Sequence, residues 1–312
     1  MVMLVLCGIK SQNQIVTLCR RDKINPKWMY LLKKFNENTY FSSKIAKKKT
    51  IIMKFCTVIF MFIVNSCFAQ QWQAEIMAGV TGYNGDLARS SLDFKTMGPH
   101  IGVNMKYLFP NNFLLLRAGI SYGTIKGDDK NNSNPAVSVR NLNFKTDIIE
   151  GNLILEVNIL DPEEYIGLPY VFGGVGIFHF NPYTNDNSGQ KTYLQPLGTE
   201  GQGIAAYPNR KVYSLTQFCI PFGLGWKQKI NDRYEIAWEL GIRYTNTDYL
   251  DDVSSTYADP AILLASRGPV AEQLAYRQVN PSKATTGGQR GNPQANDWYY
   301  STGVKFCIKL GE

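Results

Sequence analysis

Residues 233–244, Arg-Tyr-Glu-Ile-Ala-Trp-Glu-Leu-Gly-Ile-Arg-Tyr, decide the fold class of this 312-residue chain. The even-numbered positions from Tyr234 to Tyr244 carry only apolar or aromatic side chains, whereas the odd-numbered positions carry charged or small ones. Alternation with a period of two over this length predicts a β-strand rather than a helix. A wholly apolar face that ends in aromatic residues, opposite a face with charges, is typical of transmembrane barrel strands, which face lipid on one side and a polar lumen on the other.

Seven other segments alternate in a similar way, and the connections between the segments are short and long in strict turn. Two short connections are the turn sequences Pro110-Asn111-Asn112 and Asn231-Asp232, and the third runs from Asp161 to Pro169. Outer-membrane barrels show this asymmetry, because they have short periplasmic turns and long outer loops. The seven segments are 72–83, 98–108, 113–124, 147–159, 170–180, 212–228 and 298–310, and the long connections are 84–97, 125–146, 181–211 and 245–297.

These patterns predict an all-β fold, a transmembrane antiparallel β-barrel of eight strands, which is an even number that closes a small barrel. Segment 170–180 is apolar on both faces, so its orientation stays open. A soluble β-sandwich is the alternative, although its strands are usually only about 5–6 residues long. The last long loop is predicted to carry a short helix between the start signal Asp259-Pro260 and the stop signal Gly268, with a second helical stretch after Pro269.

The positive charge of the chain is concentrated at its amino-terminal end. Residues 1–54 contain twelve of the 33 Lys and Arg residues and two of the 25 acids, which leaves 21 bases against 23 acids in the remainder. A nucleic-acid-binding domain would need a basic surface on its folded part. No nucleic-acid partner is therefore predicted.

A second Met at position 53 opens the pattern of a secretory signal peptide. Lys54 supplies a basic start, the apolar run 55–64 is too short to span a bilayer, and Cys67 and Ala69 are the small residues of a cleavage site after Ala69. A signal anchor, a lipoprotein cut before Cys67 and an unusually long basic start are the alternatives. The predicted organisation is an over-called or non-native extension at 1–52, a signal peptide at 53–69 and an outer-membrane barrel domain at 70–312.

The predicted inward faces of the strands carry equal numbers of acids and bases. An eight-stranded lumen is just wide enough for side chains to fill it, and unpaired buried charge is costly. We therefore expect a closed, hydrogen-bonded plug, with an ion path through the lumen as the alternative. The predicted lumen charge network consists of the acids Glu75, Glu150, Glu156, Glu235 and Glu239 and the bases Lys106, Arg117, Arg243, Lys305 and Lys309.

No pattern in the sequence predicts catalysis, a metal site or a cofactor. The two histidines, His100 and His179, are placed near the outer rim, where a hydrolase would need a carboxylate or Ser within reach. Two rim histidines without a catalytic role are the preferred interpretation. Cys219 and Cys307 fall on inward faces of strands that are not neighbours, so two free thiols are expected, with a disulfide across the lumen as the alternative.

Two loop segments have compositions that suggest a ligand site without meeting its requirements. The acidic run Asp248, Asp251 and Asp252 offers oxygen ligands for Ca²⁺ but lacks the spacing of an EF-hand, so a solvated turn is expected. The Gly-rich stretch Gln195–Gly203 lacks the Lys-Ser/Thr of a phosphate loop, so a shaped surface loop is expected.

Three motifs together resemble the DUF6089 or PorG-like family of Bacteroidota outer-membrane proteins, which includes a component of the type IX secretion system. They are PYVFGGVGIFHFNPY at 169–183, LQPLGTEGQG at 194–203 and TNTDYLDDVSSTY at 245–257, within a resemblance that covers residues 70–312. The resemblance implies an outer-membrane barrel that supports protein secretion or gliding by contacting other secretion components. It carries over no catalytic residue.

The predicted function is that of a non-enzymatic outer-membrane barrel, an accessory or scaffold component of type IX-like protein secretion. Its expected partners are outer-membrane lipid and other secretion subunits, and no cofactor is expected. A free-standing small-solute channel or surface barrel is the first alternative. A hydrolase with its site at the barrel rim is the second.

Overall fold

A computed structural model describes residues 71–90, 93, 96–132, 134–278 and 285–310 of the chain. The extension predicted at 1–52 and the signal peptide predicted at 53–69 lie outside these described residues.

Eight antiparallel strands pair edge to edge into a closed ring, so the predicted barrel is confirmed. The first strand pairs with the last, which closes the ring without a free edge. The observed strands overlap all eight predicted segments. The ring consists of β1 (Trp72–Asn84), β2 (Met97–Leu108), β3 (Leu114–Asp128), β4 (Asn143–Asn158), β5 (Gly167–Asn185), β7 (Thr216–Lys229), β8 (Tyr234–Thr245) and β9 (Trp298–Leu310), and a short β6 (Lys191–Tyr193) pairs with the end of β5.

The largest differences from the predicted strand ends lie at the long-loop end of the barrel, and β5 also starts earlier, at Gly167. Strands β3, β4 and β5 continue past their predicted ends at the long-loop end of the ring, where Asp128 pairs with Asn143 and Lys145 with Tyr183. The apolar alternation stops there although the hydrogen-bonded ladder continues, so the sequence pattern marked only part of each strand. Strand β7 starts at Thr216 rather than at residue 212.

Asparagine and aspartate side chains hold the three short turns. The side chain of Asn111 accepts hydrogen bonds from the backbone N–H groups of Phe113 and Leu114, and Asn231 does the same for Arg233 and Tyr234. Asp161 accepts one from Glu163 N–H in the β4–β5 turn. Such bonds are the reason why these residue types favour tight turns.

The outward faces of the strands form a continuous apolar surface. Phe218 is 75% exposed, Ile120 is 62% exposed and Ile236 is 40% exposed. Aromatic side chains mark both edges, with Trp72 and Trp226 at the short-turn end and Tyr122 and Tyr244 at the long-loop end. An exposed apolar belt between aromatic girdles is the exterior of a membrane-spanning barrel.

A charge placed at the middle of this belt should destabilise the barrel more than one at its edge. Leu153 is the central outward position of β4, and Ile149 lies nearer the long-loop end. We expect Leu153→Arg to lower the free energy of unfolding in lipid vesicles by about 2–4 kcal/mol, and Ile149→Arg by less, because the cost of a lipid-facing charge depends on depth. Equal and small losses, measured by denaturant titration, would contradict the membrane placement.

The long-loop end carries the helices. Helices α1 (Pro135–Ser138), α2 (Pro260–Arg267) and α3 (Pro269–Ala275) lie in the loops, together with short 3₁₀ turns at Asp129–Asn131 and Gln195–Leu197. As predicted, Asp259 caps α2 by accepting hydrogen bonds from the N–H groups of Ala261 and Ile262. Among the described residues, no helix is long and apolar enough to cross a membrane.

Candidate functional site

The middle of the barrel lumen is filled by ion pairs between side chains from different strands. The guanidinium of Arg117, on β3, lies at the centre, 2.7 Å from Glu239 Oε2, 3.4 Å from Glu156 Oε2 and 3.9 Å from Glu75 Oε1. The Arg117 guanidinium also lies over the ring of Phe172 in a cation–π contact, with its carbon 4.9 Å from the ring centroid. We call this group the lumen charge cluster, and its members are Glu75, Lys106, Arg117, Glu156, Lys227, Glu239 and Lys305.

Among the described carboxylates of the lumen charge cluster, Glu239 on β8 accepts the most hydrogen bonds. Its carboxylate accepts two hydrogen bonds from Arg117, at 2.7 and 3.2 Å, and one from the Tyr170 hydroxyl at 2.8 Å. Lys305 contacts the same carboxylate and also lies 3.2 Å from Glu75. These residues are all at most 2% exposed, so water does not replace a lost partner.

A second ion pair lies nearer the long-loop end. Arg243 Nε donates to Glu150 at 3.1 Å, and the Arg243 Nη1 group donates to the Ser301 hydroxyl at 2.6 Å. The Tyr299 hydroxyl donates to the same Glu150 oxygen at 2.8 Å. This pair is separate from the lumen charge cluster, with which it shares no ion-pair partner among the described residues.

The structure therefore brings eight of the ten predicted lumen charges into ion pairs, and leaves two outside them. Glu235 and Lys309 form no ion pair among the described residues, and both line a cavity of about 160 Å³ at the short-turn end. Lys227 was omitted from the predicted network but lies buried against Glu156, with Asn158 accepting its hydrogen bond at 2.8 Å. The inward parity of Lys227 on its strand was the sequence signal that could have identified it.

The long-loop end of the lumen is closed by an apolar core rather than by charges. Strand residues such as Phe178, Phe180 and Tyr299 pack there against loop residues such as Leu250 and Leu274. The orientation of β5, which the sequence left open, is settled by these contacts, because Phe178 and Phe180 face inward while Val175 and Ile177 are exposed.

The long loops fold together into one layer, which we call the loop cap and define as the described residues of 85–96, 129–142, 186–215 and 246–297. Its centre is Glu200, which is fully buried. The carboxylate of Glu200 accepts hydrogen bonds at 3.0 Å from the N–H groups of Ser254 and Ser255 and from the guanidinium of Arg290. Arg290 also donates to the Asp252 carbonyl at 2.7 Å, so three segments of the chain meet at one carboxylate.

Two expectations about the loops are wrong. The Gly-rich stretch is not a surface loop, because Thr199, Glu200 and Gln202 are at most 1% exposed. The acidic run is not a solvated turn, because Asp248, Asp251 and Asp252 are also buried. Both segments are polar in composition, and their burial depends on partners more than fifty positions away in the sequence.

Burial in the loop cap changes the acidity of its aspartates. Burial raises the pKa of Asp252 to about 6, although Arg290 and the hydroxyls of Thr199 and Tyr213 favour the charged form. Burial also raises the pKa of Asp248 to about 7, with the nearby acids Asp86 and Glu200 acting in the same direction. Both aspartates therefore change charge near neutral pH.

The two histidines do not meet at the rim. His100 faces inward and is 5% exposed, whereas His179 faces outward and lies 3.0 Å from the Thr216 hydroxyl. Within the described ranges, neither histidine forms a hydrogen bond with a carboxylate. No group of three or more His, Cys, Asp or Glu side chains in that part of the chain is arranged to hold a metal ion.

Cys219 and Cys307 are buried free thiols, as expected. The Cys307 thiol donates to Gln73 at 3.3 Å, and the Cys219 sulfur lies 3.9 Å from the Tyr299 hydroxyl. The disulfide across the lumen is therefore not formed.

Comparison with known proteins gives one family and several distant structures. A family described as "Domain of unknown function (DUF6089)" matches residues 52–262. No curated protein matches the chain. Among solved structures, Neisserial surface protein A (NspA) is 9% identical with a TM-score of 0.37, and the match covers 76% of this chain and 96% of that one.

Two further structures give similar values. The outer membrane protein OprG from Pseudomonas aeruginosa is 11% identical with a TM-score of 0.34, over 77% of this chain and 97% of that one. A major outer membrane protein from Thermus thermophilus is 12% identical with a TM-score of 0.37, over 76% of this chain and 99% of that one. Because these values are low, the barrel assignment rests on the strand pairing of the chain itself.

Proposed function

The chain belongs to the DUF6089 family, and from its filled lumen and folded loop cap we propose that it is a non-enzymatic outer-membrane barrel that serves as an accessory or scaffold subunit of protein secretion. The type IX-like system is the proposed context, and other secretion subunits and outer-membrane lipid are the proposed partners. Proteins with large loops on a rigid barrel use those loops for contacts.

The observation that carries this proposal is the filled lumen. Arg117, Lys106 and Lys305 are each at most 2% exposed and are held by carboxylates from facing strands. A channel would need a continuous polar path wide enough for water, which an eight-stranded barrel packed with side chains does not provide. A barrel whose centre is filled in this way is best explained by what its surfaces bind.

We further propose that the protein is exported and cut after Ala69, so that the mature chain starts at Gln70. The apolar outward belt supports placement in a membrane, and in bacteria barrels of this kind belong to the outer membrane. The signal-peptide pattern at 53–69 supports export.

Purification from the native host tests the proposal. The chain is tagged at its carboxyl end, extracted from isolated outer membranes with mild detergent, and analysed by mass spectrometry for its first residue and for co-purifying proteins. Recovery of secretion subunits, with Gln70 as the first residue, supports the proposal. A barrel of another family that carries the same tag, taken through the same extraction, serves as the control for unspecific recovery.

Conductance distinguishes the proposal from the channel alternative. In a planar bilayer we expect the purified protein to give no single-channel steps, because the lumen charge cluster blocks the path. Steady conductance together with an absence of co-purifying secretion subunits would favour a free-standing channel. Silence together with that same absence would favour a surface barrel without a role in secretion.

A further inference from the structure

A tyrosine hydroxyl at the long-loop end of β1 lies between two buried carboxyl groups. Tyr83 Oη contacts Asp251 Oδ2 as a hydrogen-bond donor and lies 3.4 Å from Asp297 Oδ1. All three residues are nearly completely buried. Tyr83 belongs to the first strand, whereas both aspartates belong to the β8–β9 connection, so the contact joins the largest loop to the barrel.

Every contact of the Tyr83 hydroxyl oxygen can be a hydrogen bond if one of the two carboxyl groups carries a proton. A tyrosine hydroxyl donates one hydrogen bond, and here that bond goes to Asp251. The backbone N–H of Leu87 donates to the same oxygen at 3.3 Å. The contact with Asp297 Oδ1 can then be a hydrogen bond only if the Asp297 carboxyl holds a proton and donates it to Tyr83.

The remaining oxygens of the two carboxyl groups are already occupied. Asp251 Oδ1 accepts from Val253 N–H at 2.8 Å, and Asp297 Oδ2 accepts from Leu250 N–H at 2.9 Å. Backbone donors thus fix both carboxyl groups in place. An ionised Asp297 would instead direct a lone pair at the lone pairs of the Tyr83 oxygen, beside a second negative charge.

The charged groups around the pair do not neutralise it. Asp86 from the β1–β2 connection and Asp248 from the β8–β9 connection add negative charge near both aspartates. Arg140 attracts Asp251 electrostatically, but its own ion pair is with Asp129, and Arg290 pairs with Glu200. Neither aspartate of the pair forms an ion pair within the described residues, and two uncompensated buried charges would be very costly.

We propose that Asp297, Tyr83 and Asp251 form a proton-dependent clasp. While Asp297 keeps its proton, the clasp holds the β8–β9 connection against the end of β1. When Asp297 loses that proton, the connection is released. In the closed state the order of donation is Asp297 O–H to Tyr83 O–H to the Asp251 carboxylate. Loss of the proton places two negative charges beside one hydroxyl, and the loop segments separate. The clasp is independent of the proposed role in secretion.

The acidity of the pair agrees with this device. Burial raises the pKa of Asp251 well above its usual range, and the negative charge of Asp86 adds to this effect. Burial also raises the pKa of Asp297 well above its usual range, and there the added charge is that of Asp251. An aspartate in the opened loop loses its proton near pH 4, whereas in the closed cap it keeps the proton to higher pH. The free energy needed to open the cap therefore falls as pH rises from about 4 through the raised pKa values. The closed cap is less stable at high pH than at low pH.

Hydrogen–deuterium exchange of the full chain in detergent micelles tests the clasp. Protection factors, corrected for the intrinsic pH dependence of exchange, are measured for peptides covering residues 246–258 from about pH 5 to about pH 10. Above about pH 7, where Asp248 and Asp252 are already ionised in the closed cap, opening releases the one proton of Asp297, so protection should fall by up to about tenfold per pH unit within that transition. Peptides from β4 serve as the internal reference and should not change.

Two matched variants assign the effect. Asp297→Asn keeps the shape and supplies a permanent N–H donor toward Tyr83. Above about pH 7, where Asp248 and Asp252 are already ionised in the closed cap, protection in this variant should become independent of pH and remain high. Asp248→Asn removes a neighbouring acid that is not in the hydrogen-bonded chain, so most of the pH dependence should remain. The clasp is refuted if the parent protein shows no pH dependence, if Asp297→Asn keeps the parent slope, or if Asp248→Asn abolishes it.

Discussion

Replacing Glu239 by Gln should lower the free energy of unfolding of the barrel by about 3–5 kcal/mol, because breaking a buried ion pair leaves its partner charge uncompensated. Arg117 and Lys305 both depend on this carboxylate, and both are at most 2% exposed. The measurement is denaturant unfolding from lipid vesicles, followed by tryptophan fluorescence, since Trp226 and Trp238 face outward and report on the lipid environment.

Glu235→Gln is the matched control for this variant. Glu235 lies on the same strand with the same inward parity, but it forms no ion pair in the described part of the chain and borders the cavity at the short-turn end. We expect its replacement to cost less than about 1 kcal/mol, as for a weakly coupled charge. Similar losses for the two variants would contradict the central role of Glu239.

A compensating substitution keeps the test informative if Glu239→Gln does not insert into vesicles. The double variant Glu239→Gln with Lys305→Met removes one of the two stranded bases, and Met fills a similar volume. It should recover part of the folded yield. No recovery would mean that the loss comes from some cause other than uncompensated charge.

Replacing Glu200 by Ala should open the loop cap while the barrel remains folded. The substitution removes the acceptor for two backbone N–H groups and for the Ser255 hydroxyl, and it leaves the buried guanidinium of Arg290 without its ion pair. The local cost should again be about 3–5 kcal/mol. The strand ladder contains none of these bonds, so the denaturant midpoint of the barrel should hardly change.

Limited trypsin digestion measures this opening. Cleavage after Arg267, Arg277 or Arg290 should become much faster in Glu200→Ala than in the parent protein, while the barrel strands stay resistant. Glu272→Gln, a change of an acid on α3 that forms no ion pair within the described ranges, serves as the control and should digest like the parent. Equal digestion of the parent and Glu200→Ala would show that the loops do not depend on this carboxylate.

The barrel was predictable from the sequence because its determinants are local. In residues 233–244 the lipid-facing and lumen-facing side chains alternate one by one. A strand with lipid on one face and a polar lumen on the other requires this alternation, so the pattern is visible in the sequence. The inward face of strand β5 could not be predicted in this way, because its inward Tyr170 and Phe172 are as apolar as its outward Val171 and Val175. Contacts in the folded barrel settle which side faces inward, both in the lumen, where Tyr170 donates to Glu239, and at the long-loop end, where Phe178 packs against the loops.

The loop cap was not predictable, for the opposite reason. Asp252 and Glu200 look like solvated loop residues when they are considered with their immediate neighbours. Each is buried because its partners come from a different loop, such as Thr199 for Asp252 and Ser254 for Glu200. In the lumen, the alternation indicated which charges face inward, but the choice of partners depends on strand stagger, which the pattern does not contain.

Strand β1 pairs along its whole length with β9, from Trp72 opposite Leu310 to Asn84 opposite Trp298, so the first barrel strand to be synthesised must wait for the last. Until the residues of β9 are available, its two partner strands β1 and β8 present open edges, which are templates for aggregation. Contacts between residues so distant in sequence also make folding slow. The yield of this protein in a cell should therefore be limited by the chaperones that hold the unfinished chain, and a truncation within β9 should cause aggregation rather than a less stable barrel.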